Sequence, residues 1–243
     1  GDGLVGHQAG AQYVVGREAK DQYGESLAPD KADDYVLGST ILFYTKEEKH
    51  PVPFIAPSFA IDITKTSIPE TRIIKSGDNG CFYWWIEWGG ELDTIHDNER
   101  IRDELWAVIY GIWDYIKNSG KFPDATHMTL EWVGSVPGKR ESRRFIGDYV
   151  LKQQDILEQR SFEDSVAFGG WSIDMHPPHG IYSYETASAP VYSDGIYEIP
   201  YRTLYSKNIT NLLFAGRNIS ASHVAFASTR VMATCAALGE AAG

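Results

Sequence analysis

The closing stretch NLLFAGRNISASHVAFASTRVMATCAALGEAAG, residues 211–243, decides how the rest of the chain is read. Leu212-Leu213-Phe214-Ala215 reads as a short buried strand, and Gly216 breaks it. From Ser228 to Ala242 the residues are small and apolar, among them Ala233, Ala236, Ala237 and Gly239, and they read as a helix. A strand, a Gly-Arg turn, a loop and a helix opening near Ser228-Thr229-Arg230 is the arrangement of an anion site. The first N–H groups of a helix lack partners within it and carry partial positive charge, so they stabilise a negative ligand atom. Small side chains let such a helix approach another backbone or a flat ligand closely. Close packing alone produces the same pattern.

Working outward, composition narrows the class. The chain has 243 residues, enough for one large domain or two small ones. Its 22 Lys and Arg against 33 Asp and Glu leave a formal charge of −11, which argues against a nucleic-acid or anionic-membrane partner. No apolar run approaches the roughly 20 residues of a transmembrane helix. Cys81 and Cys235 cannot build a disulfide framework or a four-cysteine zinc site. Aromatic residues are plentiful, either filling a β-rich core or offering flat binding surfaces.

Local signals give the expected elements. Residues 7–19 read as a helix despite Gly10 and Gly16, and Ser39 to Tyr44 and Ala60 to Thr64 as strands. TRIIKSGDNGCFYWWIEW reads as a hairpin turning at Gly77-Asp78-Asn79-Gly80, with residues 81–88 a central strand apolar on both faces. A helix starts at Asn98 as its N-cap. It carries Ile101, Leu105, Val108, Ile109, Ile112, Trp113 and Ile116 at a 3.6-residue period and stops near Asn118-Ser119-Gly120. His127 to Val133 reads as a strand and Tyr149 to Gln159 as a short helix. Residues 168–200 form a long irregular stretch of the kind that is often functional.

Several segments together resemble a family of bacterial FAD-dependent oxidoreductases with a two-dinucleotide-binding-domain fold. Residues 211–243 are similar to its C-terminal flavin-binding segment: an apolar strand, A-G-R, a small-residue loop with His, S-x-R-V-M, and a helix ending L-G-x-A-A-G. GDGLVGHQAGAQYVVGRE (1–18) resembles the family's T-G-D-G…A-G segment. GKRESRRFIGDYVL (138–151), WSIDMHPP (171–178) and YEIPYRTLYSKNITNLLFAGR (197–217) resemble further family stretches, whereas residues 36–133 resemble it weakly. The chain has no G-x-G-x-x-G after a strand, the unit that seats the pyrophosphate. The chain opens on Gly1-Asp2-Gly3 and closes within a helical pattern. The expectation is therefore a fragment of a longer flavoenzyme, inactive by itself and without FAD when alone.

The resemblance implies an α+β or α/β chain. Residues 36–204 would be a substrate or cap domain with a mixed or antiparallel sheet, and 1–35 and 205–243 remnants of a Rossmann-like FAD-binding domain that meet in space. It implies that Gly1, Asp2 and Gly3 lie near the pyrophosphate or ribitol. Gly216, Arg217, Asn218 and Ser220 would form the turn that approaches the cofactor. Arg230, Val231 and Met232 would open the helix pointing at the flavin pyrimidine, whose charge in the reduced state the helix start would stabilise. The implied reaction is hydride transfer from a small organic substrate to flavin N5.

Three residues are candidates around that substrate. His223 would polarise it or relay a proton, or else orient the loop. Arg143, with Arg144, would clamp a carboxylate or carbonyl, or else pair with Glu141 or a nearby Asp. His176 and His179 flank Pro177-Pro178 and, with Asp174, keep a metal site conceivable, though the expected metal is none. Two rival readings stand beside this one: a non-catalytic carbohydrate-binding module built on the aromatic strands, and a hydrolase with paired carboxylates such as Glu87 and Glu91. Compartment and oligomeric state are not readable from these residues.

Overall fold

The computed structural model describes residues 1–243, and the chain packs as two compact units. One comprises residues 1–36, 142–175 and 188–243; the other comprises 37–141 and 176–187. Residues 142–175 and 188–204, read above as part of a middle domain, pack instead with the two ends. The reason is pairing: Arg144–Phe145 forms a ladder with Tyr13–Val14, and Ser220 accepts the Leu151 N–H.

The 37–141/176–187 unit is organised by the helix Asn98–Asn118. Its buried face runs through Ile101, Leu105, Val108, Ile109, Ile112, Trp113 and Ile116, the period read from the sequence. That face packs on Ile41, Phe43, Ile63, Ile68, Tyr83, Trp85 and Ile86. The N-cap is Asp97 rather than Asn98. At the other end Lys117 lies in the last turn and donates to the Ala125 and Met128 carbonyls at 2.6 and 2.8 Å. Gly111 allows a close approach midway. A Cβ there would fall 2.3 Å from the Ile61 carbonyl oxygen, beside the Ile61 N–H bond to Ala107 at 3.1 Å.

Two sheets flank this core. Ser39–Thr40 lies between Glu87–Trp88 and Gly138–Lys139, antiparallel to both. Phe43–Glu47 pairs antiparallel with Met128–Val133, with a bulge between Tyr44 and Thr45. The hairpin expected over residues 71–88 does not form. Asp78 pairs with Thr45 through backbone and hydroxyl bonds, and residues 81–86 turn on themselves while Tyr83, Trp85 and Ile86 enter the core. Only Glu87–Trp88 is strand. The strand expected at 60–64 is instead a 3₁₀ turn, Ile63–Lys65, capped by the Asp62 carboxylate.

In the 1–36/142–175/188–243 unit, the helix expected at 7–19 is replaced by the short helix Leu4–Gln8 and the strand Tyr13–Val14. Gly10 and Gly16 adopt φ of +81° and +88°, a conformation that ends a helix and that only glycine takes cheaply. Ser165–Gly169 pairs with Tyr197–Pro200 and Ile173–Met175 with Ala189–Val191, both antiparallel. A parallel arrangement occurs only at the isolated Leu151–Ala221 bridge. The class is therefore α+β. A parallel sheet of the dinucleotide-fold kind is not among the paired strands.

The strand expected at 212–215 reduces to a single bridge between Leu213 and Tyr205, with Leu213 and Ala215 exposed and Phe214 buried. The closing helix is two helices, His223–Thr229 and Met232–Ala242. The first is buried on every side and Ser222 caps it, its hydroxyl accepting the Ala225 N–H at 3.1 Å. The second restarts at Val231, which is extended at φ −69°, ψ 149°. Arg230 at the break is tied to Asp174 by a 3.0 Å ion pair. No helix is long and apolar enough to cross a membrane.

Candidate functional site

Residues far apart in sequence converge in the 1–36/142–175/188–243 unit. Arg217 Nη2 donates to the Gly1 carbonyl at 2.7 Å, and its Nη1 to the Ser142 hydroxyl at 3.2 Å. Asn218 Nδ2 donates to the Arg143 carbonyl at 2.7 Å, and Arg143 Nη1 to the Asp2 carbonyl at 2.8 Å. Beneath them Phe145 stacks on Phe214 with centroids 4.4 Å apart. Gly3 and Gly6 lie against that ring, where a Cβ would fall within 2.7 and 2.3 Å of it. Arg217 thus joins Gly1 directly, and Asn218 joins Asp2 through Arg143.

The helix Met232–Ala242 belongs to the same unit. Burial pushes the Cys235 thiol pKa up, and Arg217 and Arg230 both pull against it, so the guanidiniums and the first turn of the helix lie within electrostatic range. No side chain caps that first turn, and Met232 is 89 % exposed. Ser220, unlike the half-buried Gly216, Arg217 and Asn218, is fully buried, its N–H donating to the Thr203 carbonyl at 3.0 Å.

A flavin ring needs flat access to backbone, partial positive charge at its pyrimidine edge and few bulky side chains at the contact. Gly216, at φ +87°, has nothing within 4 Å of the place a Cβ would occupy. The uncapped N–H groups of the helix Met232–Ala242 supply the charge. These residues suit the ring end of such a cofactor. A glycine-rich loop for the adenosine end is not among the 243 residues.

The substrate-side candidates separate. Arg143 is buried beside this cluster, its guanidinium 5.1 Å from the centroid of the Tyr13 ring. Arg144 is a structural residue. It is 1 % exposed and donates to Glu18 Oε1 at 2.7 Å and to the Gly16 and Ala221 carbonyls. The partner is Glu18 rather than Glu141, which instead accepts the Leu37 N–H at 2.9 Å. His223 opens the helix His223–Thr229 in a buried position, its N–H donating to Glu18 Oε2 at 2.8 Å. Glu18 therefore supports both Arg144 and the helix carrying His223, and its local sequence gives no sign of this.

His176 lies in the other unit. Its Nδ1 is 2.6 Å from Glu87 Oε2, and both side chains are almost wholly buried. Arg140 Nη1 lies 3.3 Å from the same oxygen. Trp84 presents an edge-on contact to the His176 ring. Glu91 pairs separately with His179 at 2.7 Å, so the two glutamates of the hydrolase reading each serve a histidine. Asp174 pairs with Arg230, and no group of three or more His, Cys, Asp or Glu residues is placed to hold a metal ion.

With this geometry in place, comparison with known proteins assigns the class. The family of FAD dependent oxidoreductases matches across residues 1–243, and the chain belongs to that family. No curated protein and no solved structure matches it. Family membership gives a general oxidoreductase role, and it favours that role over the carbohydrate-binding and hydrolase readings.

Proposed function

We propose that the chain holds the ring end of FAD with its 1–36/142–175/188–243 unit and serves hydride transfer from a small organic substrate. The observations that carry this reading are the uncapped, exposed start of the helix Met232–Ala242 and, in the same unit, a Gly216-Arg217 turn that binds back to Gly1. When bound, the flavin would supply the hydride acceptor at its N5 atom. The protein's own contribution is electrostatic and positional. The helix N–H groups and Arg217 stabilise negative charge at the edge they face, with no proton moved. Arg143 offers a rigid fork of donors to a substrate carboxylate or carbonyl. His223 is the candidate of this unit for polarising the substrate or relaying a proton.

A Rossmann-like origin for the first unit, and an adenosine-binding G-x-G-x-x-G supplied by residues beyond these 243, belong to the same proposal. The chain alone would then be inactive. The reading is tested on the protein as its gene encodes it, by the visible absorption spectrum after incubation with FAD and removal of excess. Flavin bands near one equivalent in the wild type, diminished about tenfold or more in Arg217→Ala, support it. A folded, colourless wild type that takes up no FAD refutes it.

A further inference from the structure

Arg143 and Arg144 are neighbours in sequence and both are buried, at 6 % and 1 % exposed, yet their charges are met differently. Arg144 faces the Glu18 carboxylate at 2.7 Å and gives further donors to the Gly16 and Ala221 carbonyls. Arg143 makes one hydrogen bond, from Nη1 to the Asp2 carbonyl at 2.8 Å, and no ion pair with any carboxylate. Its Nε is buried without an acceptor, while Nη2 makes no hydrogen bond and keeps access to solvent. The third buried arginine, Arg72 of the other unit, gives both terminal nitrogens to the Thr71, Glu185 and Gly180 carbonyls. A buried cation that has neither a carboxylate nor a full set of carbonyls is costly. The Tyr13 ring, 5.1 Å from the guanidinium, offsets only part of that cost.

The unpaired guanidinium is nevertheless held in place. Asn218 Nδ2 grips the Arg143 carbonyl at 2.7 Å and the Asp2 carbonyl holds Nη1. Tyr13, on which the guanidinium lies, is fixed by its ladder pairing with Phe145. Nε and Nη2 share the remaining edge of the planar group, and such an edge matches the two oxygens of a carboxylate. We propose that Arg143 is the binding residue for an anionic substrate, a small organic acid whose carboxylate approaches by way of Nη2 and supplies the counter-charge. A neutral carbonyl would accept a hydrogen bond there and leave the charge unmet. The two segments that anchor Arg143 are those of the proposed flavin site: Asp2 follows Gly1, which Arg217 binds, and Asn218 follows Arg217. The inference therefore rests on that reading, and it narrows the substrate from a small organic molecule to a carboxylic acid.

Its first test needs no flavin. The Arg143 Nε–H signal, assigned through its own side-chain carbons, is followed in ¹H–¹⁵N spectra of the flavin-free protein as sodium acetate is added at constant ionic strength. Acetate should move the signal saturably, and acetamide, its neutral counterpart, should bind at least about tenfold more weakly. No response to acetate, or an equal response to acetamide, overturns the proposal. Calorimetry of Arg143→Met separates binding from structure. A buried charge without a partner adds nothing to folding, so this variant should melt no lower than wild type. A loss as large as that in Arg144→Met would mark Arg143 as structural and overturn the assignment. FAD carries the other anion that could serve, its pyrophosphate. In the FAD-loaded protein acetate should still move the signal; loss of the response on loading would give the site to the cofactor and overturn the substrate assignment. Failure of the flavin proposal would appear as absent FAD uptake with the acetate response intact, so the two outcomes are distinguishable.

Discussion

Removing the Glu18 carboxylate should unsettle the framework under the candidate flavin-side residues. Glu18 accepts from Arg144 at 2.7 Å through one oxygen and from the His223 N–H at 2.8 Å through the other. In Glu18→Ala, Arg144 keeps its bonds to the Gly16 and Ala221 carbonyls but loses its counter-charge while 1 % exposed. Breaking a buried pair from one side costs roughly 3–5 kcal/mol. For a chain of this size each kcal/mol lowers Tm by roughly 2–4 °C, so thermal unfolding should begin roughly 6–20 °C earlier. Glu18→Gln keeps the shape and should fall between. The double variant Glu18→Leu with Arg144→Met removes both charges and should recover much of the loss, because the dominant cost is the stranded guanidinium. Differential scanning calorimetry reads all three. A Glu18→Ala melting temperature within about 2 °C of wild type would refute the reasoning.

The long helix gives a prediction whose sign runs against propensity. Alanine normally stabilises a helix interior over glycine by about 1 kcal/mol, yet Gly111→Ala should destabilise by roughly 1–3 kcal/mol, because its Cβ would meet the Ile61 carbonyl. Urea titration checks this, and a stabilised variant contradicts it. Glu25 gives a pH prediction. Burial raises its carboxyl pKa, outweighing the bonds it accepts from the Ser222 hydroxyl and the Gln153 N–H. The stability this group contributes is fully present below the ordinary carboxylate pKa and is lost as pH rises through the raised one. By urea titration Glu25→Gln should therefore lose less stability than wild type as pH rises above the ordinary carboxylate pKa, and parallel curves would contradict that.

What was legible in the sequence was legible for local reasons. The Asn98–Asn118 helix announces itself because its apolar residues repeat at the helical period and need no distant partner to define a face. The hairpin at 71–88 misled because the turn chemistry of Gly77 to Gly80 is satisfied by Thr45, 33 residues from Asp78. The run from Ser228 to Ala242 looks continuous, and its break depends on Arg230 reaching Asp174, 56 residues away. The site divides in the same way. Gly216, Arg217 and Asn218 stand in a contiguous motif and could be read, as could His176 by its residue type. Its partner Glu87 lies 89 positions away, and its only local sign is a single acid after a run of aromatic residues.

The central claim is that the start of the helix Met232–Ala242 faces the electron-rich edge of reduced flavin, and the midpoint potential of the bound flavin in Met232→Glu tests it most directly. Met232 is so exposed that the substitution leaves packing intact. A carboxylate in the first turn offsets part of the helix-start charge, on the order of 0.5–1 kcal/mol when exposed to solvent. That corresponds to a potential about 10–20 mV lower than wild type for the two-electron couple. The difference should shrink as salt is added, and Met232→Gln should match wild type. Equal potentials in Met232→Glu and wild type at low salt would contradict the claim.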